Sequence, residues 1–260
     1  MKKHQKIKLA LATATSSLLG STASVHAETS PDFGDWDVKA AVLNFQSPER
    51  VSAIEPVISA KKQLDTDESI SLKLVLDVLT GASANGAVPT NTAQTFTNAS
   101  GNGSYTTDPG ETPLDDSFKD LRAAFSANWE LPISRMDRLV LGGNISKEFD
   151  YTSVAVSSTF AHDLNKRNTT LSAGLSIAGD TISPAGDIPV PFAVMQPAGS
   201  TQARASSSET KTTFDILLGA TQVIDKNSLV QLNYSYSQVD GYLTDPFKVI
   251  SIVDSNGLPV

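Results

Sequence analysis

Residues 69–79 read Ser-Ile-Ser-Leu-Lys-Leu-Val-Leu-Asp-Val-Leu, and the order of those side chains decides the fold. Successive side chains of an extended strand point to opposite faces, so residues two apart share one. Ile70, Leu72, Leu74, Leu76 and Val78 therefore line one apolar face, while Ser71, Lys73, Val75 and Asp77 line the other. A helix would disperse both sets, because its apolar positions recur every three to four residues. The stretch predicts a strand with one side against an apolar medium.

The same alternation returns along the chain. Residues 118–131 set Leu121, Ala123, Phe125, Ala127, Trp129 and Leu131 against Asp120, Arg122, Ala124, Ser126, Asn128 and Glu130. Further runs lie at 139–149, 152–162, 169–178, 212–224 and 228–238. Two earlier runs are less regular. In 36–46 the apolar face begins as Trp36, Val38, Ala40 and Val42 but ends as Leu43 and Phe45, which points to a β-bulge or a misread register. In 50–64 the set Ile54, Pro56, Ile58, Ala60 and Leu64 contains a proline that cannot donate to its neighbour.

Connections alternate in length. Short ones fall at 65–68, 132–137, 164–167 and 225–227, and long ones rich in Gly, Ser, Thr and Pro at roughly 80–117 and 179–210. Outer-membrane barrels have short periplasmic turns and long external loops. With residue 36 at the periplasmic side, these short turns fall there and both long loops fall outside, while two further connections on the external side, near 47–49 and near Asp150, are short and break the length rule. The reading is an all-β, antiparallel, up-and-down transmembrane β-barrel of about nine strands, incomplete because an odd count leaves an edge open. A soluble β-sandwich is the competing architecture, but its strands run to about five or six residues, whereas crossing a bilayer takes about 9 to 11. On this threading Trp36, Trp129 and Phe160 mark the inner interface, and Phe45, Phe118, Phe149, Tyr151, Phe214, Tyr234 and Tyr236 the outer one, with Phe125 the exception at mid-strand.

The N-terminus carries Lys2, Lys3, Lys6 and Lys8, then an apolar stretch from Leu9 to about Gly20, then Val25-His26-Ala27. This is the layout of a secretory signal peptide over residues 1–27, leaving 28–260 as the partial barrel domain. Its removal leaves 16 basic residues against 28 acidic ones, a net charge of −12. So acidic a chain without basic runs is not built for nucleic acid. No later stretch has the 18 or so apolar residues of a membrane helix. There is no Cys, which removes disulfides and thiolate metal sites.

Several segments resemble the DUF3570 family of Gram-negative outer-membrane barrels: Ala40 to Phe45 with 48–56, Leu79-Thr80-Gly81-Ala82-Ser83, Gly110 to Asp116, and Tyr234-Ser235-Tyr236 with Asp240 to Pro246. The resemblance implies a barrel and an address in the bacterial outer membrane, with no assigned activity. Family members are longer, so the resemblance also implies a truncated chain that does not close alone.

The inward face carries both signs of charge. Lys73, Asp77, Arg122, Glu130, Glu148 and Asp215 are the candidate lumen-facing ladder, with Lys39, Glu55 and Lys61 on the same face. Either the ladder passes or binds a small hydrophilic solute, or its charges pair and fill a narrow barrel. The expected partners are outer-membrane lipid and such a solute; no cofactor is implied. No enzyme site is expected. His162 is the sole histidine after residue 27, stands beside Asp163 at an expected turn, and has no nucleophile elbow to serve. Asp65-Thr66-Asp67-Glu68 and Asp115-Asp116 lack the spacing of a calcium loop and read as solvated turns. The long loops offer a second role, as an adhesive or receptor surface on a rigid scaffold.

Overall fold

The computed structural model describes residues 34–47, 50–98, 103–196, 200, 201 and 203–257. The expected leader, with Pro48-Glu49 and Leu258-Pro259-Val260, lies outside them. In chain order the strands are β1 (Trp36–Gln46), β2 (Val51–Asp65), β3 (Glu68–Ala84), β4 (Gln94–Thr97), β5 (Ser104–Thr107), β6 (Leu114–Pro132) and β7 (Asp137–Lys147). There follow β8 (Tyr151–Leu164), β9 (Thr169–Ile182), β10 (Ile188–Pro189), β11 (Arg204–Ser206), β12 (Glu209–Val223) and β13 (Leu229–Gly241). Nine of them form one antiparallel meander in the order β1-β2-β3-β6-β7-β8-β9-β12-β13. All-β antiparallel architecture is thus as the alternation predicts. The sheet is open, because β1 and β13 each have a single neighbour, so a closed barrel is not formed.

Side-chain exposure follows the alternation. Leu121, Val156 and Leu175 on the apolar face are 60%, 57% and 54% exposed, whereas Asp77, Asp163 and Asp180 on the polar face are 8%, 2% and 6% exposed. The buried hydrophobic residues among those described are Ala87, Phe96, Ile182 and Ile188, in the long connections or, for Ile182, at the loop end of β9. A sandwich would need a second large sheet over the apolar face; among the described residues none lies there.

Curling toward the polar side accounts for that asymmetry, and the chain after β13 is in keeping with it. The Val249 amide donates to the Asn85 carbonyl at 2.9 Å, and Lys248 Nζ to the Ala84 carbonyl, so this segment reaches from the edge strand to the end of β3. Across a flat sheet that journey spans six strand spacings, about 29 Å. Eight residues fully extended reach about 28 Å, and the turn in which the Lys248 amide donates to the Asp245 carbonyl shortens them further. The Val249–Asn85 hydrogen bond itself covers one of the six spacings, so a flat sheet would leave this segment taut, and a curled one does not. Gly86 fits closely under this strap: a Cβ there would lie 2.8 Å from the Val249 carbonyl oxygen.

One expectation needs correction. β1 pairs with β2 without a bulge, from Trp36 opposite Lys62 to Gln46 opposite Ser52. Leu43 and Phe45 simply stand on the polar-face parity, Leu43 opposite Glu55 and Phe45 opposite Ala53. The irregularities lie elsewhere, between Gln63 and Asp65 and between Gly81 and Ser83.

The bulge at Gly81 has a steric cause. Its φ is +129°, and a Cβ would lie 2.1 Å from the Arg50 carbonyl oxygen, which accepts the Ala82 amide at 2.9 Å. Gly81→Ala is expected to destabilise the protein by about 1–2 kcal/mol, read from the midpoint of a urea unfolding curve in detergent.

Candidate functional site: the charged face and its mouth

The polar face carries three charge clusters, each built by cross-strand register. In the first, Asp77 lies opposite Arg122, with Glu55 beside Asp77 and Glu148 beside Arg122. Arg122 donates through Nε and Nη2 to Asp77 Oδ2 and stands 4.0 Å from Glu148 Oε1. One guanidinium thus serves three carboxyls. Asp77 Oδ1 is buried and has no hydrogen-bond partner, so Arg122 is what neutralises this side chain. Burial, with Asp120 adding repulsion, holds the Glu148 carboxyl above the usual range, against the pull of Arg122.

A second cluster ties the short turns together. Asp163 accepts from Arg138 Nη1 at 2.6 Å and from Thr170 Oγ1 at 2.7 Å. Arg138 Nε also stands 3.6 Å from Glu130 Oε1. Arg167, in a single left-handed turn of 3-10 helix at Asn165–Arg167, donates to the Arg135 carbonyl at 2.7 Å and to Asp67 at 3.4 Å. Three successive hairpin turns are thereby joined by side chains.

The third cluster lies at the loop end. Asp180 accepts from the Tyr151 hydroxyl at 2.6 Å and pairs with Lys211 Nζ at 3.2 Å. Lys211 Nζ also sits over the Tyr151 ring, 5.1 Å from its centre. Beside this cluster, between the ends of the strands and the strap, is a cavity of about 1460 Å³.

Of the residues singled out from sequence, the structure unites Asp77, Arg122 and Glu148 and joins Glu130 to Arg138. Lys73 lies between Ser59 and Ser126, and Asp215 between Ser176 and Ser237. Neither makes an ion pair among the described residues. Arg138, Asp163, Arg167, Asp180, Tyr151 and Lys211 were not foreseen as site residues. Period-two parity would have placed Arg138 with Asn144 and Ser146. His162 lies within β8, two residues before its end, rather than in a turn; it stands opposite Asp137, and its Nδ1 meets Asp137 Oδ1 at 2.6 Å. Ser134 donates to that same Asp137, not to the imidazole, so this trio lacks the serine–histidine contact that nucleophile activation uses.

The profile of a family described as "Protein of unknown function (DUF3570)" matches residues 8–259. No curated protein and no solved structure matches the chain.

Proposed function

The chain belongs to the DUF3570 family, and from that premise we propose that it is an exported outer-membrane protein whose sheet turns its apolar face to lipid and its charged face to a water-filled lumen. The observation that carries this reading is the exposure of the apolar face on strand after strand. A water-soluble protein rarely leaves a continuous apolar patch beyond a few hundred Å² uncovered. Hydrocarbon makes such a face favourable, and the antiparallel ladder satisfies backbone polar groups between strands. The ionic clusters on the other face suit a lumen that passes a small hydrophilic solute.

The native chain has no cysteine, so single cysteines report cleanly. In reconstituted vesicles, cysteines at Leu74, Leu76 and Val78 are expected to react with a lipid-phase probe, and those at Lys73 and Val75 with an aqueous one. Equal aqueous labelling at both parities would sink the membrane reading. Heat-modifiable gel mobility and fractionation with the outer membrane test the address. Single-channel conductance in planar bilayers tests passage.

A second reading, a surface-binding module, is favoured by the order within the long connections. Each contains a hairpin, β4 with β5 and β10 with β11, and Phe96 and Ile188 are 5% and 1% exposed. Burial, helped by the Asp115 carboxylate, pushes the Tyr105 hydroxyl up to about 12, in keeping with a packed loop. A folded protein that binds cell surfaces but conducts no ions would favour this role.

A further inference from the structure

The cavity under the strap has a chemistry that the charge ladder does not absorb. Its wall includes Asp120, Asp150 and Asp245 together with the rings of Tyr151, Tyr242 and Phe247. None of those three carboxylates forms an ion pair among the described residues. Asp245 Oδ1 accepts the Phe247 amide at 2.8 Å, which fixes the carboxylate on the strap and leaves its second oxygen for another donor.

The lysines at this cavity do not neutralise it. Lys211 is engaged by Asp180 and Tyr151, and Lys147 Nζ donates to Thr152 Oγ1 at 2.9 Å. Lys119 also lines the cavity, and with Lys147 it sets two lysines against Asp120, Glu148, Asp150 and Asp245. The local balance is therefore negative, among aromatic rings. Burial, with repulsion from Asp120 and Asp245, holds the Asp150 carboxyl above the ordinary carboxylate range. The contact of Lys211 with Tyr151 already displays, on the protein's own side chain, a cation held by a ring and a carboxylate together.

We propose that this cavity binds an organic cation, an ammonium or guanidinium carried on an apolar or aromatic body. The carboxylates meet the charge and the rings of Tyr242 and Phe247 meet the body, since a cation within about 6 Å of a ring centre is attracted by its face. At about 1460 Å³ the space exceeds the roughly 300–1,000 Å³ of common ligand pockets, so a bulky cation or one that keeps part of its water shell fits. The strap that roofs the site supplies Tyr242, Asp245 and Phe247, so occupancy and strap position are coupled. This deepens the outer-membrane reading by assigning a solute class to the lumen's outer mouth.

The test uses the full chain folded in a nonionic detergent, titrated calorimetrically with benzylammonium, benzyl alcohol and benzoate. Benzylammonium is expected to bind most tightly and benzoate least. The double variant Asp150→Asn with Asp245→Asn is expected to weaken benzylammonium by roughly tenfold or more, while Asp225→Asn, at a turn on the opposite end, leaves it unchanged. Affinity for benzylammonium is expected to fall as pH is lowered through the raised range of Asp150, whose facing acids are Asp120, Glu148 and Asp245. Equal affinity for benzoate and benzylammonium in the unaltered chain would overturn the proposal, even where the double variant fails to fold. So would a folded double variant that binds as the parent does. Cysteine labelling stands apart: benzylammonium binding without lipid-phase labelling removes the membrane reading alone, and labelling without such binding removes the cation site alone.

Discussion

Leu74→Arg is expected to lower the stability of the protein in lipid vesicles by about 2–4 kcal/mol, the cost of a guanidinium near the bilayer midplane on a lipid-facing strand. Leu74 is paired with Ile58 on one side and Phe125 on the other, and is itself 40% exposed. An arginine there can displace neither neighbour nor find an acid on its own face among Ile70, Leu72, Leu76 and Val78. If water bathed this face, the same change would be a surface substitution, worth no more than about 0.5 kcal/mol. Lys73→Gln, one position away on the other face, removes a charge without an ion pair and is expected to stay within that smaller range. Urea unfolding of vesicle-reconstituted protein distinguishes the two cases. A Leu74→Arg variant as stable as the parent would place the apolar face in water.

The sheet was legible because one physical rule repeats. Where one face meets an apolar medium, parity is enforced at every second residue, and Ile70 to Val78 is read as easily as Leu171 to Ile177. The ends were not legible for the same reason. β6 runs for 19 residues and β3 for 17, beyond the length needed to cross a bilayer. Past the apolar zone both faces turn polar and parity leaves no mark. The sequence reading of strand 169–178 therefore stopped two residues short of Asp180, and that of 212–224 began one residue after Lys211, so the pair they form could not be seen.

The error at β1 has a related origin. An edge strand has one hydrogen-bonded neighbour, so apolar side chains such as Leu43 and Phe45 tolerate the polar-face parity, and a change of apolar face was mistaken for a change of register. Pro56 was read correctly as a missing donor. Residues 55 and 56 are absent from the β2–β3 ladder, which resumes at Val57 opposite Val75. The strap and its cavity carried no periodic signal at all, because Tyr242 to Phe247 is irregular chain whose partners near Asn85 are remote in sequence.

Arg122→Leu is expected to cost about 2–3 kcal/mol, somewhat below the 3–5 kcal/mol of a fully buried broken pair because the guanidinium is partly exposed. The side chain of Asp77 is only 10% exposed against 40% for Arg122, so removing the arginine leaves the acid uncompensated where water reaches it least. Glu55 and Glu148 then both face Asp77 without the arginine beside them, which adds like-charge repulsion. Arg122→Lys keeps the charge but loses the fork that reaches both Asp77 and Glu148, and is expected to fall between parent and Leu. Adding Asp77→Leu to Arg122→Leu removes both partners and is expected to recover more than half of the loss, because two apolar side chains of similar size leave no buried charge. The double-mutant cycle, measured by urea unfolding, thus separates an ion pair that holds the wall together from charges that merely share a face. A cycle with no coupling would assign the cluster to the lumen's solvent, and the narrow, mutually paired ladder would have to be abandoned.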